Sequence, residues 1–343
     1  MNKFFSSKMK KILPIIFISI IFLIILIYIG NYIFEKSIPP AQNIKIGITF
    51  SPNLTKNLGL DWKVTYLDIL DNLKVRSLRL TSYWTDIEPT AGKFSFADLD
   101  YQLNEAQKRG ASVMLVVGAK QPGWPECYAP TWAKSLTLAQ RQQKTLDFLA
   151  AVIDRYKDHQ TITKWQLENE PLFAYGYGCD QVNQDFLKKE LTLVKKLDSK
   201  RPVVITDSGE LSFWTSAMQA SDIFGTTMYR TVHNPFFGYA TYPLSPGFYN
   251  LKSTLIRTLF APENLKTIIT ELQAEPWFSQ PITQVPIQTQ AKIFSVQNLK
   301  DNADFARKTG FDEIYFWGAQ WWYFMAQNGY PQYLEYVKTL FKE

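Results

Sequence analysis

Histidine and cysteine are scarce in this chain of 343 residues, which contains two of each. The histidines, His159 and His233, stand far apart, and neither lies in the spacing of a zinc-ligand set. The cysteines, Cys127 and Cys179, are able to pair outside the cytoplasm, where disulfides persist. The sequence therefore predicts no metal site and allows one disulfide.

Signatures of nucleotide and nucleic-acid binding are also absent. No G-x-G-x-x-G motif follows the first apolar run, so nucleotide binding has no support. Residues 1–36 hold five Lys and one Glu, which is +4 of the formal net charge of +6 and leaves +2 for the rest. Because that remainder is nearly balanced and has no basic stripe, we expect no nucleic-acid partner. The sequence has no internal repeat and no low-complexity tract.

One long apolar segment lies near the N-terminus. Residues 12–29 read ILPIIFISIIFLIILIYI and carry no charge. The length of this run reaches the lower limit for a helix that crosses a bilayer. Four lysines precede this run and only Lys36 follows it closely, so the positive-inside rule places the N-terminus in the cytoplasm. We expect a basic tail over 1–11, a single-pass signal-anchor over 12–34 and a linker over 35–43. A cleaved signal peptide is the alternative, although no small-x-small cleavage site precedes the folded part.

Residues 44–343 alternate between short apolar runs and longer amphipathic segments. Such alternation predicts a parallel sheet, and eight repeats over about 300 residues suit a closed (β/α)8 TIM barrel. A doubly wound open sheet is the alternative fold. The predicted strands cover 44–50, 75–80, 112–118, 162–168, 202–207, 223–229, 266–271 and 313–318, and helices are predicted over 61–74, 96–110, 137–158 and 180–199.

Polar and aromatic side chains stand at the ends of several predicted strands, where a TIM barrel forms its active site. Cleavage of a glycosidic bond needs one carboxyl group to protonate the leaving oxygen and a second to attack or stabilise the anomeric carbon. The fourth and seventh strands face each other across an eight-stranded ring, with Glu170 just beyond the fourth and Glu271 at the end of the seventh. The set is Asn169, Glu170 and Pro171 after the fourth strand, Glu271 in the seventh, Arg79 in the second, Tyr229 after the sixth and Trp317 in the eighth.

These motifs resemble clan A of the glycoside hydrolases, which includes cellulase-like and β-glycosidase families. The resemblance lies in Asn169-Glu170-Pro171 after an apolar strand and in Glu271 within IITELQAEPW. The stretch RLTSYWTDIEPTAGKFSFADLD over 79–100 also resembles the second strand, loop and helix of those enzymes. The resemblance covers 44–343 in layout and implies a retaining glycosidase that needs no cofactor and acts on an oligo- or polysaccharide.

The resemblance also implies a role for each site residue. Glu170 would be the acid/base and Glu271 the nucleophile, while Asn169 would hydrogen-bond the 2-hydroxyl of the sugar at the cleaved bond. Arg79 and Tyr229 would contact the nucleophile, and Trp317 would form the floor under that sugar. A retaining enzyme holds its carboxyl groups about 5–5.5 Å apart and an inverting one about 6.5–9.5 Å, a distance that the sequence does not give.

Two further glutamates lie near the motifs; the role of one is open, and the other is expected to be peripheral to the site. Glu168 lies two residues before Glu170, so a regular strand would point both side chains to the same side. It is either a buried partner of a basic residue or part of the site. Glu275 stands before a proline, and we interpret it as shaping a loop.

The loops after the strands carry the two cysteines and many aromatic residues. Cys127 follows the third strand and Cys179 the fourth, so their loops should be neighbours, and we predict a disulfide there. Aromatic rings stack on the C–H faces of sugars, although about half of these rings are expected to fill loop cores instead. They are Trp84, Trp124, Tyr128, Phe173, Tyr175, Tyr177, Trp214, Trp277, Trp321 and Trp322.

The leading hypothesis is a membrane-anchored, extracytoplasmic, retaining glycoside hydrolase that cleaves β-linked oligo- or polysaccharides. A transglycosylase with the same residues would transfer the glycosyl group to a sugar instead of water. A non-catalytic carbohydrate-binding barrel would keep its behaviour without Glu170 and Glu271. A barrel hydrolase that uses the carboxylates on another substrate is the remaining alternative.

Overall fold

The computed structural model describes residues 43–341 except 182 and 235–237, together with a few single positions before residue 43. Eight parallel strands close into a barrel in which the first strand pairs with both the second and the last. The predicted (β/α)8 barrel is therefore confirmed, and the open doubly wound sheet is wrong because that fold leaves two strand edges unpaired.

Ten strands lie within the described residues, and all eight predicted runs are barrel strands. They are β1 (Lys45–Phe50), β2 (Ser77–Thr81), β3 (Ser112–Val117), β4 (Ile162–Leu167), β5 (Val203–Asp207), β6 (Ile223–Met228), β7 (Thr231–Asn234), β8 (Gly238–Thr241), β9 (Lys266–Gln273) and β10 (Glu313–Trp317). The strands β7 and β8 form a separate antiparallel pair beside the mouth of the barrel, in the connection that follows β6.

The helices cover the outside of the barrel. They are α1 (Pro52–Asn57), α2 (Trp62–Asp71), α3 (Trp84–Ile87), α4 (Ala97–Lys108), α5 (Thr131–Lys134), α6 (Leu138–Tyr156), α7 (Gln184–Leu197), α8 (Thr215–Gln219), α9 (Pro246–Phe260), α10 (Ile287–Ile293), α11 (Val296–Arg307), α12 (Ala319–Gln327) and α13 (Gln332–Leu340). The four predicted amphipathic segments correspond to α2, α4, α6 and α7.

Capping residues set the ends of these helices more sharply than the apolar pattern does. Thr137 and Gln140 form a reciprocal capping box at the start of α6. The side chain of Asn183 accepts the N–H of Phe186, so α7 begins at Gln184 and not at 180 as predicted.

Apolar side chains on the two faces of the strands form two separate clusters. Met114, Val204, Ile268 and Tyr315 form a small buried cluster of their own, while their chain neighbours belong to the large cluster that the helices cover. Because side chains alternate along a strand, the small cluster fills the inside of the ring. This filled interior leaves the ends of the strands as the place for a site.

An ion cluster is buried at the opposite end of the barrel from the carboxyl ends of the strands. Glu313 starts β10 and accepts hydrogen bonds from Lys164 and from the hydroxyl of Tyr315, the latter over 2.7 Å. Burial raises the pKa of Glu313, but the charge and hydrogen bonds of these neighbours outweigh burial and lower it overall. The charge of Glu313 therefore depends on a partner that is itself buried.

The predicted tail, signal-anchor and linker over 1–43 lie outside the described residues, apart from single positions. None of the helices in the described part of the chain has the length and apolar character of a transmembrane segment. The transmembrane segment therefore stays a prediction from the sequence.

Replacing Glu313 by Gln should leave the buried ammonium group of Lys164 without its charged partner. Breaking a buried pair on one side costs about 3–5 kcal/mol, and we expect a fall of that order in the free energy of unfolding. Urea denaturation measures this change. The matched control is Asp147→Asn, which breaks an exposed pair with Lys144 (2.8 Å between Nζ and Oδ2) and should cost less than about 1 kcal/mol. Equal losses in the two variants would contradict the prediction.

Candidate active site

The guanidinium of Arg79 joins three strands at the mouth of the barrel. It is fully buried and donates from Nη1 to Glu271 Oε1 over 2.7 Å and from Nη2 to Asn169 Oδ1 over 2.8 Å. Its Nε donates to Gln166 Oε1 over 2.7 Å. These contacts place side chains from β2, β4 and β9 within one hydrogen-bonded group, as the sequence predicted for Arg79 and Glu271.

The carboxyl group of Glu271 is held from both sides. Its second oxygen, Oε2, accepts the hydroxyl of Tyr229 over 2.8 Å, opposite the oxygen that Arg79 holds. Burial, followed by the charge and hydrogen bond of Glu271, raises the pKa of Tyr229 well above its ordinary value. The phenol therefore remains a proton donor, and both predicted contacts of Glu271 are present.

Glu170 occupies the same mouth in a very different environment. Its backbone is left-handed (φ 46°), its N–H donates to Thr206 Oγ1 over 2.8 Å, and its Oε1 accepts the hydroxyl of Thr227 over 2.9 Å. Burial, together with the negative charges of Glu271 and Glu126, raises its pKa well above the ordinary value. Its Oε2 has no hydrogen-bond partner among the described residues and is available to carry an acidic proton.

Glu168 points away from Glu170, which a regular strand would not allow. Both residues adopt positive φ (56° and 46°), so the chain turns twice where β4 ends. The carboxyl of Glu168 accepts the N–H groups of Ala119, over 2.8 Å, and Lys120, and it hydrogen-bonds the carboxyl of Glu190. It is therefore the buried anchor of the loop after β3, and its partners are backbone groups and another carboxyl instead of a basic side chain.

The loop after β3 approaches Glu168 closely enough to require glycine at position 118. A Cβ atom built there would lie 2.1 Å from Glu168 Oε1, and Gly118 has φ of +119°, which favours glycine. This close approach brings the loop over residues 119–128 against the fourth strand and its glutamates.

Glu126 lies in that loop and is a site residue that sequence reasoning missed. Its Oε2 accepts the side-chain amide of Asn169 over 3.0 Å, and the residue is 8% exposed. Burial and the charge of Glu271 raise the pKa of Glu126 to about 8. The available signal was its position directly before Cys127, in a loop that the predicted disulfide tethers to the rim.

The predicted disulfide between Cys127 and Cys179 is present, with 5.2 Å between the two Cα atoms. It ties the loop after β3 to the loop after β4. The backbone of Tyr177 also donates to Pro125 over 2.9 Å, so the two loops are joined on both sides of Glu126. The bridge thereby fixes one wall of the mouth.

Trp317 lies at the end of β10, where its indole N–H donates to Glu275 Oε1 over 2.9 Å. Burial and the charge of Glu271, partly offset by this hydrogen bond, raise the pKa of Glu275 to about 7. Glu275 therefore holds the predicted floor residue, a contact that its interpretation as a loop-shaping residue did not include.

Four carboxyl groups thus surround the mouth: Glu126, Glu170, Glu271 and Glu275. Within the described part of the chain, no group of three or more His, Cys, Asp or Glu side chains has the arrangement to hold a metal ion. The carboxyls instead contact protein hydrogen-bond donors.

The ten loop aromatics divide between the core and the rim. Five of them are buried, namely Trp84, Tyr128, Trp214, Trp321 and Trp322, and Phe173 is half-buried. Four exposed rings form what we call the rim aromatics: Trp124, Tyr175, Tyr177 and Trp277. Trp277 lies 5.5 Å from the ring of Tyr229 and 6.2 Å from that of Tyr175, which is 6.2 Å from Trp124. The rim aromatics therefore extend from the partner of Glu271 to solvent.

Comparisons with known proteins find the same barrel fold in solved structures of glycoside hydrolases. The barrel matches a GH5_18 protein from Bifidobacterium longum subsp. longum with a TM-score of 0.58 and 10% identity, over 80% of this chain and 70% of that one. It matches endo-glycoceramidase II from a Rhodococcus species with a TM-score of 0.52 and 14% identity, over 81% and 73%. At these identities the match concerns the fold alone.

Curated relatives share part of the sequence. Mannan endo-1,4-beta-mannosidase F from Aspergillus fumigatus is 26% identical over 188 residues, and beta-galactosidase Pbg from Clostridium perfringens is 31% identical over 129. The matches span 46% and 31% of this chain, but only 41% and 18% of those proteins. No protein-family model matches the chain.

The pair of Glu168 and Glu190 makes the stability of the fold depend on pH. Burial and the charge of Glu168 raise the pKa of Glu190 well above its ordinary value of 4.5, so Glu190 holds a proton in the folded state. A carboxyl with a raised folded pKa stabilises the fold at low pH, and this contribution is lost as the pH rises through that raised value. Glu190→Gln supplies a donor that does not ionise.

The melting temperature of Glu190→Gln should therefore fall less between about pH 5 and pH 9 than that of the parent protein. Thermal unfolding at several pH values measures the two slopes. The control is Asp185→Asn on the same helix, because the Asp185 side chain is 88% exposed and should leave the slope unchanged. Parallel curves for Glu190→Gln and the parent would contradict the prediction.

Proposed function

We propose that this barrel is a retaining glycoside hydrolase that cleaves β-linked oligo- or polysaccharides by double displacement. The observation that carries the proposal is the contrast between two glutamates at one mouth. Glu271 is bound by a guanidinium and a phenol, which suits an ionised nucleophile, whereas Glu170 is buried with a raised pKa, which suits an acid. Environments that separate two carboxyl groups in this way assign the base and the acid of a catalytic pair.

In the first step, one oxygen of Glu271 attacks the anomeric carbon while the protonated carboxyl of Glu170 gives its proton to the glycosidic oxygen. The bond between that oxygen and the anomeric carbon breaks, and the sugar becomes an ester of Glu271. The unpartnered Oε2 of Glu170 is the atom from which the proton would leave. The hydrogen bonds from Arg79 and Tyr229 hold the attacking carboxylate in place.

In the second step, the ester formation has removed the negative charge of Glu271. One of the charges that raised the pKa of Glu170 is then gone, so its carboxylate form becomes easier to maintain. Glu170 takes a proton from water, and the resulting hydroxide oxygen attacks the anomeric carbon and releases Glu271. Two inversions at one carbon leave its configuration unchanged.

The rim aromatics support a chain of sugars as the substrate. Trp124 is 63% exposed and Tyr177 is 74% exposed, with 6.5 Å between their ring centroids. Exposed rings of this kind offer flat apolar faces with polar edges, which match the two faces of a pyranose. The relatives named above as a mannan β-mannosidase and a β-galactosidase support a β-linked hexose.

The proposal is tested by Glu170→Gln and Glu271→Gln on two substrates that differ only in the leaving group. With a sugar as the leaving group, Glu170→Gln should lower kcat by about 10²–10⁴-fold, because proton donation is lost. With an acidic phenol as the leaving group, the first step needs little protonation, so Glu170→Gln should slow that step much less. Glu271→Gln should lose turnover of both substrates, because no nucleophile remains.

The control is Glu263→Gln, an exposed glutamate on the connection before β9, which should keep parental activity. NMR of the first-formed product should show the configuration of the substrate. Product analysis with an added acceptor sugar separates hydrolysis from transglycosylation. Parental turnover in both active-site variants would leave a carbohydrate-binding barrel as the better description.

We also propose that residues 12–34 anchor the barrel in the cell membrane with the site outside the cytoplasm. The support is the uncharged apolar run and the excess of lysine before it. The chain enters the barrel at Lys45, at the end of the ring opposite the carboxyl mouth. An anchor attached there would leave the mouth facing away from the bilayer.

The full chain should stay in the membrane fraction after an alkaline wash, because a spanning helix resists extraction that removes peripheral proteins. Externally added protease should degrade the barrel in intact cells. Residues 38–343 expressed alone are the control and should be recovered in the soluble fraction. A mature N-terminus beyond residue 34 would instead indicate a cleaved signal peptide.

A further inference from the structure

Glu126 is one of two carboxyls of the mouth that double displacement does not use, and the other, Glu275, holds the indole of Trp317. It comes from the loop after β3 and reaches the residue directly before Glu170, since its Oε2 accepts Asn169 Nδ2 over 3.0 Å. Its other oxygen, Oε1, has no hydrogen-bond partner among the described residues. A buried carboxyl that is hydrogen-bonded to the residue beside Glu170 needs a physical reason.

The backbone around Glu126 is built to hold one conformation. Glu126 has φ of 75°, its N–H donates to Gly123 O over 2.7 Å, and its own carbonyl accepts Gln121 N over 2.7 Å. A left-handed backbone at a residue other than glycine is energetically unfavourable and persists only where its surroundings enforce it. The disulfide at the next residue, Cys127, ties this strained segment to the loop after β4.

Glu126 and Arg79 together fix the orientation of the Asn169 amide. Oδ1 of Asn169 accepts Arg79 Nη2 over 2.8 Å, while Nδ2 faces the carboxyl of Glu126. If the amide turned over, its NH2 group would face the guanidinium, where neither partner has a lone pair to accept. Without Glu126, only the Oδ1 end of the amide would be held.

The remaining hydrogen of the Asn169 amide is the group that a ligand would meet. Nδ2 carries two hydrogens, and Glu126 accepts one of them. The other has no acceptor among the described residues. Burial and the charge of Glu271 raise the pKa of Glu126 to about 8, so at neutral pH this carboxyl adds little negative charge beside the nucleophile.

We propose that Glu126 is a positioning residue, which locks the Asn169 amide so that its second N–H donates to the 2-hydroxyl of the sugar at the cleaved bond. The inference rests on the proposed function. It adds a residue from the disulfide-tethered loop to the proposed machinery. It also gives the loop a specific task, because the carboxyl acts through Asn169 and not on the reacting atoms.

The experiment compares Glu126→Met and Glu126→Gln on a β-glycoside and on its 2-deoxy counterpart. Met fills a similar volume without an acceptor, whereas Gln keeps a carbonyl oxygen for Asn169. For the β-glycoside, Glu126→Met should lower kcat/KM by about 10²-fold, the scale of one lost donor in the transition state. For the 2-deoxy glycoside the same variant should stay within about threefold, since the 2-hydroxyl is absent, and Glu126→Gln should stay near the parent on both.

Two outcomes would overturn the inference. An equal fall on both substrates would mean that Glu126 only supports the fold. No fall on either would mean that Asn169 needs no second partner. In an Asn169→Ala background, replacement of Glu126 should cause no further loss, and an additional 10²-fold loss there would also contradict the proposed route.

Should Glu126→Met fail to fold, Glu126→Ala in the oxidised protein gives the same comparison. The ratio of variant to parent on each substrate removes the intrinsic reactivity of the 2-deoxy sugar. If the proposed function itself is wrong, Glu271→Gln retains turnover, and this inference fails with it. If only the inference is wrong, Glu271→Gln is inactive while the ratio for Glu126→Met is the same on both substrates.

Discussion

The arrangement of side chains at the mouth of the barrel depends on one buried cation. The guanidinium of Arg79 is removed from water, and a buried charge is tolerated only when it is paired and hydrogen-bonded. It finds that environment by joining Glu271, Asn169 and Gln166, which belong to strands far apart in the sequence. Because the planar guanidinium offers donors in fixed directions, these side chains have little freedom to move independently. The same contacts that stabilise the cation therefore arrange the site.

The pKa values of the other carboxyl groups at the mouth depend on that arrangement. Burial makes the ionisation of these neighbours unfavourable, and the charge of Glu271 beside the guanidinium adds to this effect. The pKa values of Glu126, Glu170 and Glu275 are all raised by burial and by the charge of Glu271. The contrast between Glu271, which the guanidinium holds, and its neighbours with raised pKa values follows from distance and desolvation, not from residue type.

Backbone strain is concentrated where the loops meet these acids. Glu126, Glu168 and Glu170 all have positive φ, which is uncommon for residues other than glycine. Hydrogen bonds or the disulfide between Cys127 and Cys179 hold each of these backbone conformations. The surrounding structure thereby offsets the energy of the strained backbone. The turns direct Glu168 to the loop backbone and Glu170 into the mouth, although the two residues are only two positions apart.

The sequence by itself determined the barrel, because strand and helix periodicities are local and eight repeats of them close in few ways. It also indicated the disulfide, because strand ends converge on one rim of any such barrel, and the family resemblance implied the meeting of Arg79, Tyr229 and Glu271. Only the tertiary structure decided the direction of Glu168 and the contacts of Glu126 and Glu275. Those depend on φ angles at single residues and on loops that approach from other strands, and neither quantity is encoded in a periodic pattern.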